Sequence, residues 1–372
     1  MATTPQEKAA LSSLPRVYDH TANPETTLLP HLRPHLPNSI PIYRRIQFGF
    51  RSPHTHILAT VPIEDDGATA ETPAPTNGEG QHRCLAAAYI DRSRRPETEC
   101  WIHLSWDAPS HRAPSCACSA HLLALLHAAA ALPYPPLTPE QEEDIWRAVR
   151  ASGAADAAAR FHAHTAAPAA AYLERLDEPA LLKVGTMHER GVEWVRGRGW
   201  LERGDHGKVF LYRKYVFDGM GVAAAAAGET PGEGLRWGRV REEDLALARS
   251  RTAIPRTDRT LRVLPSVAVF PEGGKQPVAW AFLGVDGSLS GLHVEPEYRG
   301  RGLAKAMGRK LFREGWGAFG DELNGLAHAD VALENSESNG VCRSLGGVDD
   351  RWHVAWVRID LDGVREAVDA SQ

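Results

Sequence analysis

Residues 288–312 read Ser-Leu-Ser-Gly-Leu-His-Val-Glu-Pro-Glu-Tyr-Arg-Gly-Arg-Gly-Leu-Ala-Lys-Ala-Met-Gly-Arg-Lys-Leu-Phe. An apolar strand ending at Val294 runs into a turn at Pro296. A basic, glycine-rich loop, Arg299-Gly300-Arg301-Gly302, then leads into a helix with Leu303, Met307 and Leu311 on one face. A helix start without side-chain bulk exposes backbone N–H groups that have no intrahelical partner. With the positive end of the helix dipole, those donors make an anion site. Gly300 and Gly302 let a phosphate approach the backbone closely, and Arg299 and Arg301 add charge of the right sign. No Gly-Lys-Ser/Thr follows at the nucleotide P-loop spacing. The third glycine and the strand-end acid of a dinucleotide fingerprint are also missing. The competing reading is a strand-turn-helix with an exposed basic loop and no ligand.

The stretch resembles the acyl-CoA pyrophosphate loop of the GNAT superfamily of N-acyltransferases, Arg/Gln-x-x-Gly-x-Gly/Ala. Arg299, Gly302 and Ala304 stand at its fixed positions, and Val294-Glu-Pro296-Glu-Tyr298 before them also fits. A second signature, Asn335-Ser-Glu-Ser338-Asn-Gly-Val341-Cys342-Arg-Ser-Leu345-Gly346-Gly347, resembles the family's Asn-x-x-Ala/Ser-x-x-Leu-Tyr-x-x-x-Gly-Phe. Together they cover roughly residues 235 to 361. The wording around Trp280-Ala-Phe-Leu-Gly is similar to the glycine N-acyltransferase-like branch, in which a degenerate N-terminal copy of the fold precedes the catalytic domain. The implied fold is α/β: a mixed, mostly antiparallel sheet with a parallel pair splayed where the cofactor enters. The strand pairs before residue 110 are compatible with a degenerate copy, although no second phosphate loop occurs there.

The resemblance implies an acyl-CoA cosubstrate, acetyl-CoA foremost, and no metal. It places the pyrophosphate on Arg299, Gly300, Arg301, Gly302, Leu303 and Ala304, with Lys305 or Arg309 reaching the adenosine 3′-phosphate. It places the pantetheine arm along Leu292, His293 and Val294, whose backbone N–H groups also polarise the thioester carbonyl, and against Asn335. Asn335 is equally a helix N-cap. Two departures concern catalysis. Cys342 stands where the family often has a Tyr general acid, and a small buried filler is the other reading of that residue. Ser288 stands where the family often has a Glu base, with Ser290 after it. Neither serine is a base, but they can hold a water whose proton leaves toward Asp286 or bulk solvent. His293 has a suitable pKa, yet simple strand alternation sets it opposite Ser288, Ser290, Leu292 and Val294. The implied reaction is N-acyl transfer to the amine of a small molecule or amino acid by direct attack. The alternatives are a non-catalytic acyl-CoA-binding or regulatory protein, and a protein N-acetyltransferase.

A chain of 372 residues is too long for one ordinary core, so two domains are expected. The Gly/Ala/Pro-rich stretch 218–234 is read as the linker. It divides an N-terminal α/β domain, 1–232, from an acyltransferase domain, 233–372, that contains the whole cofactor site. A net charge of −5 gives no general bias toward nucleic acid. No apolar run reaches a membrane span, and the first residues lack a signal pattern, so the expected compartment is cytoplasmic. Five cysteines without a Cys-x-x-Cys read as free, reduced thiols.

Along the first half, residues 1–38 read as an irregular arm with one short helix. Tyr43–Phe50 and His56–Val61 read as strands, and 64–81 as a disordered insertion. Residues 84–90 and 99–106 read as an antiparallel pair. Helices are expected at about 119–131, 139–163 and 168–176, and a strand at 208–217. In the second half the expected order is strand, helix, three antiparallel strands joined in part by Asp286-Gly287, helix, strand, helix, strand.

Overall fold

Short, largely apolar runs in each half of the chain form a set of strands, most of them buried on both faces, and the same order of elements occurs twice. The computed structural model describes residues 14–63, 84–108, 116–152, 176–202, 209–224, 230–252, 254–320, 323, 325–349 and 352–370. In the first half, β1 (Tyr18–Asp19) is followed by short helical turns and helix α1 (Ile40–Gln47). The meander β2 (Thr55–Ala59), β3 (Ala86–Asp91) and β4 (Cys100–Leu104) comes next. Helices α2 (Cys116–Ala130) and α3 (Pro139–Ser152), β5 (Leu181–His188), α4 (Glu189–Gly197) and β6 (Leu211–Asp218) complete the repeat. After α5 (Gly219–Ala224), the second half runs β7 (Leu235–Gly238), α6 (Leu245–Ser250), α7 (Asp258–Leu261), β8 (Ser266–Pro271), β9 (Ala279–Leu283), β10 (Leu289–Val294), α8 (Leu303–Glu314), β11 (Leu326–Ala332), α9 (Ser336–Ser344), β12 (His353–Asp360) and α10 (Leu361–Asp369).

The two repeats differ at their centres. In the first, β4 and β5 pair in parallel through Cys100↔Val184 and Trp101↔Gly185. In the second, β10 and β11 touch only at the isolated parallel bridge Ser288↔His328 and then diverge. The sheet is therefore mixed, mostly antiparallel, and splayed in the second half, as expected for the GNAT fold.

The repeats also exchange their last strands. β12 inserts between β5 and β6, and β6 lies between β12 and β11, so one eight-stranded sheet runs β1-β2-β3-β4-β5-β12-β6-β11. The first half thus supplies the antiparallel neighbour of β11, from Leu326↔Asp218 to Ala332↔Tyr212. The second half supplies that of β5, from Val354↔His188 to Asp360↔Leu181. The cores follow the same pattern. Val267, Ala279, Ala281 and Leu283 pack on Leu303, Met307 and Leu311 of α8, joined by Tyr215 and Phe217 from β6. Each fully buried Val, Leu, Met or Phe among them contributes roughly 1.5–3 kcal/mol. Arg44 of α1, fully buried, donates from Nη2 to the Leu326 carbonyl at 2.8 Å and lies 4.6 Å over the Trp316 ring.

Several sequence expectations are corrected. Residues 43–50, read as a strand, belong mostly to helix α1. Pro41 sits in its first turn, and Ile42, Tyr43 and Ile46, spaced three and four apart, are buried. β5 and α4, absent from the sequence reading, supply the centre of the sheet. Cys84 and Cys118 are joined in a disulfide with Cα atoms 4.9 Å apart, whereas Cys100 and Cys342 are free and buried. The stretch read as a linker opens with α5. The expected insertion at 64–81, residues 153–163 of the helix expected at 139–163 and residues 168–175 of the one expected at 168–176 lie outside the described residues. Among the described residues no helix is long and apolar enough to cross a membrane.

Candidate active site

β10 delivers the chain to the loop through the turn Pro296–Tyr298, and α8 begins at Leu303 with Gly302 as N-cap. Gly300 and Gly302 have φ of 74° and 78°, the left-handed region that glycine enters without steric penalty. A Cβ built on either meets no heavy atom within 4 Å. The space over the helix start is therefore open, and the first N–H groups of α8 face it without intrahelical acceptors. Arg299 folds back so that Nε donates to the Val294 carbonyl at 3.0 Å. Arg301 donates to the Glu297 carbonyl at 3.0 Å and stacks over the Tyr298 ring at 5.1 Å.

A cavity of about 1170 Å³ starts at this loop. Arg299, Gly300, Gly302, Leu303, Ala304 and Lys305 line one end. Leu292, His293 and Val294 line the wall, with Asn335 and Ser338 across the splay. Asn335 Oδ1 accepts the Ser338 N–H at 3.0 Å as an N-cap, and among the described residues its Nδ2 donates to nothing. α9 is locked to the exchanged strand: Tyr215 Oη donates to Asn339 Oδ1 at 2.8 Å, and Asn339 Nδ2 donates to the Asn335 carbonyl at 2.7 Å.

A second cavity, about 460 Å³, opens on the other side of the splay and shares Ser290, Gly291, Leu292, Asn335 and Ser338 with the first. Its walls come from both repeats, Thr98, Trp101 and Tyr212 facing Asp286, Ser288, Asp330 and Cys342. Ser288 Oγ donates to Asp286 Oδ1 at 2.6 Å, and Trp101 Nε1 donates to Asp286 Oδ2 at 3.0 Å. Burial opposes the charge of Asp286. His328, the Ser288 hydroxyl, Lys214 and the Trp101 N–H outweigh that, and its pKa lies below the usual carboxylate value. Beneath it, His328 Nε2 donates to the Asp286 carbonyl at 2.8 Å, so Nδ1 accepts from Lys214 Nζ at 3.2 Å. Lys214 also donates to Thr186 Oγ1 at 2.7 Å and pairs with Asp330 at 2.7 Å. Burial and the Lys214 charge hold His328 below its ordinary value and hence neutral.

The position of His293 corrects the simple alternation. The register slips between Ser290↔Phe282 and His293↔Trp280, a β-bulge with Gly291 at φ 59°. His293 therefore shares the face of Ser290, whereas Leu292 and Val294 turn to the core. Its ring stacks on Trp280 at 4.6 Å, and Nε2 is 3.5 Å from Glu295. Burial holds its pKa below the usual value despite Glu295.

Cys342 is 4% exposed and sits in the core beneath α9. Burial and then Asp330 push its thiol up to about 12. An ordinary thiol titrates near about 8.5, so passing the Cys342 proton to a thiolate would be uphill by roughly 4–5 kcal/mol. Cys342→Ala is thus expected to lower stability by roughly 1 kcal/mol and to change turnover per folded molecule less than threefold. Thermal melts beside steady-state rates check this. A hundredfold slower enzyme with an unchanged melting temperature would instead make the thiol the acid.

Sequence reasoning did not single out Lys214, His328, Asp330, Trp101 or Asn339. Their roles arise from pairing between elements distant in the chain, which no local signal carries. Among the described residues no group of three or more His, Cys, Asp or Glu could hold a metal ion.

The chain resembles known proteins along its length. A family model described as the acyl-CoA N-acyltransferase verG N-terminal domain matches residues 14–215. No curated protein matches. Among solved structures, a Drosophila protein is 13% identical over 92% of this chain and 97% of that one, with a TM-score of 0.51, which reports a shared fold. A tandem GNAT protein from the clavulanic acid biosynthesis pathway is 10% identical over 93% of this chain and 98% of that one, TM-score 0.40. A GCN5-related N-acetyltransferase from Kribbella flavida is 13% identical over 52% and 76%, TM-score 0.33. Because the family model spans more than half of the sequence, the chain belongs to the acyl-CoA N-acyltransferase family defined by the verG N-terminal domain.

Proposed function

We propose that the second repeat is the catalytic one, and that it transfers an acyl group, acetyl foremost, from acyl-CoA to the amine of a small molecule or amino acid. The observation that carries this is the open, glycine-capped helix start leading into a cavity that meets a second cavity at the splay. Among the described residues the first repeat shows no such opening: β4 and β5 stay paired, and His103, Trp106 and Asp107 at the end of β4 are buried. We propose that the first repeat is a degenerate partner, as in the glycine N-acyltransferase-like branch. The division near 232 then separates two repeats of one body.

The residues present fit the cosubstrate. The α8 N–H groups, Arg299 and Lys305 would hold the pyrophosphate and adjacent phosphate, and the β10 backbone with Asn335 the arm. Acyl-CoA supplies an acyl group activated as a thioester. Ser288 Oγ, its own proton given to Asp286, offers its lone pairs to the N–H of an incoming amine or to a bridging water. As the new C–N bond forms and the C–S bond breaks, the amine proton leaves past Ser288 to solvent water, while Asp286 stays ionised and holds the Ser288 hydroxyl in place. The thiolate takes its proton from water, since Cys342 holds its own too tightly. Most of the acceleration comes from holding two reactants in line.

Mass spectrometry of mixtures with acetyl-CoA and a panel of small amines, free amino acids and peptides tests this reading. Acylated small amines or amino acids are expected. Acylation confined to peptides would favour a protein N-acetyltransferase. Tight acetyl-CoA binding without any product would favour a binding or regulatory protein.

A further inference from the structure

Helix α7 lies beside the junction of the two cavities, with Leu261 lining the first and Thr260 the second. Its start is capped from outside its own repeat. Thr257 stands at the N-cap, but its side chain makes no cap hydrogen bond. The N–H groups that open the helix, which have no intrahelical acceptors, go instead to two carboxylates of the first repeat. Glu97, in the turn between β3 and β4, accepts the Thr257 N–H at 2.8 Å and the Thr257 hydroxyl at 3.0 Å on Oε1. Its Oε2 accepts the Thr260 hydroxyl at 2.5 Å, and Arg94 at 3.3 Å balances the charge. Asp144 of α3 accepts the Asp258 N–H at 2.9 Å on Oδ1 and the Arg259 N–H at 3.0 Å on Oδ2. The grip is returned from both sides. Arg147 of α3 donates to Asp258 Oδ2 at 2.8 Å, and Arg259 Nη2 donates to the Ser93 carbonyl at 2.9 Å. Glu97, Asp144, Thr257 and Asp258 are all buried.

The second repeat already holds α6 and α7 by apolar packing, with Leu245, Ala248 and Leu261 in one core with Phe270, Trp280 and Phe282 of β8 and β9. That force is non-directional and lets a short helix slide on the sheet. Charge-assisted bonds from consecutive backbone N–H groups to a carboxylate have a narrow geometry and do not. What they fix matters, because the chain just before α7 lines both cavities: Thr252, Ile254 and Arg256 share the junction with Ser290, Gly291 and Leu292 of β10. Asp144 itself lines neither cavity. We infer that Asp144 and Glu97 are positioning residues for acyl transfer: they hold the start of α7, and through it the wall of the junction against which the amine meets the thioester. The first repeat, without an opening of its own, thus shapes the site of the second. This inference rests on the acyl-transfer reading above. The competing reading is a contact between repeats that only adds stability.

Asp144 gives the cleaner test, because it can act on the junction only through α7. The full-length parent, Asp144→Asn and Asp144→Ala are compared at a temperature where each is folded, with an amine that the parent acetylates. Steady-state rates, calorimetric titration with acetyl-CoA and hydrogen exchange by mass spectrometry are measured side by side. In Asp144→Ala, kcat/KM for the amine is expected to fall about 10- to 100-fold, the upper end being the loss that a displacement of about 1 Å brings, while Kd for acetyl-CoA stays within about threefold. Exchange should quicken around α7 and not in α8. Asp144→Asn keeps one of the two acceptor oxygens and should fall between; it carries the test if Asp144→Ala does not fold. Parental kcat/KM per folded molecule in the variants would overturn the inference and leave a stabilising contact alone. So would an equal loss of acetyl-CoA affinity, which would put the effect on the cofactor site, or slower turnover without faster exchange around α7. A parent that binds acetyl-CoA but acylates no amine is a separate result: it overturns the acyl-transfer reading, and this inference with it.

Discussion

Gly302→Val is expected to lower acetyl-CoA affinity at least 100-fold while leaving the protein folded. Gly302 holds φ at 78°, and a Cβ there meets no protein atom within 4 Å. The first added carbon therefore meets no neighbouring element of the fold. The substitution has two effects. A β-branched residue in the left-handed region is strained by on the order of 1–2 kcal/mol. Its methyl groups also project into the open space over the α8 N–H groups, where a phosphate must come within hydrogen-bonding distance. Gly302→Ala carries the strain with little of the bulk and should lose less affinity. Calorimetric titration with acetyl-CoA, beside a thermal melt of each variant, checks the ranking. A folded Gly302→Val protein with parental affinity would remove the loop from the cofactor site.

The second large effect follows from the exchanged strands. Residues 233–372 contain every residue lining the first cavity, yet this fragment expressed alone is expected to be insoluble. It lacks β6, so β11 loses its neighbour, and the core against α8 loses Tyr215 and Phe217. It also lacks Lys214, leaving Asp330 buried without its cation. Removing one member of a buried pair costs roughly 3–5 kcal/mol, a large share of the roughly 5–15 kcal/mol that holds a domain together. β12 meanwhile loses β5. Coexpression of 1–232 with 233–372 should restore a soluble complex that elutes as one species and binds acetyl-CoA. A monomeric, soluble 233–372 that binds acetyl-CoA by itself would show that the exchange is dispensable and that 233–372 is an independent domain.

What could be read from the sequence was what is local. The strand-turn-helix from Ser288 to Phe312 carries its own signals within 25 residues. The same holds for the Asn335 cap and for the Asp286-Gly287 turn. The exchange of β6 and β12 was not legible. Both are apolar strands following a helix, and nothing in either says whether its partner is the preceding strand or the one in the other repeat. The Gly291 bulge illustrates a smaller failure, because one inserted residue reverses every later side chain, and His293 changed face with it. Helix α1 was misread because Ile, Tyr and Phe suggest a strand, while its three- and four-residue spacing of buried positions decided otherwise. The Cys84–Cys118 pair, 34 residues apart, depends on where α2 lies over β3, which composition does not encode. The electrostatics of the site belong to the same class. Asp286, His328, Lys214 and Asp330 come from three separated segments.

In the proposed function the open helix start after β10 takes acyl-CoA, and its acyl group passes at the splay to an amine. The most direct test is the release of free CoA thiol from acetyl-CoA by the full-length protein, with and without a mixture of small amines and amino acids, beside Gly302→Val. The expected release depends on the amine, saturates with acetyl-CoA and disappears in the variant. Release that is equally fast without any amine, or that persists unchanged in folded Gly302→Val, would contradict that function.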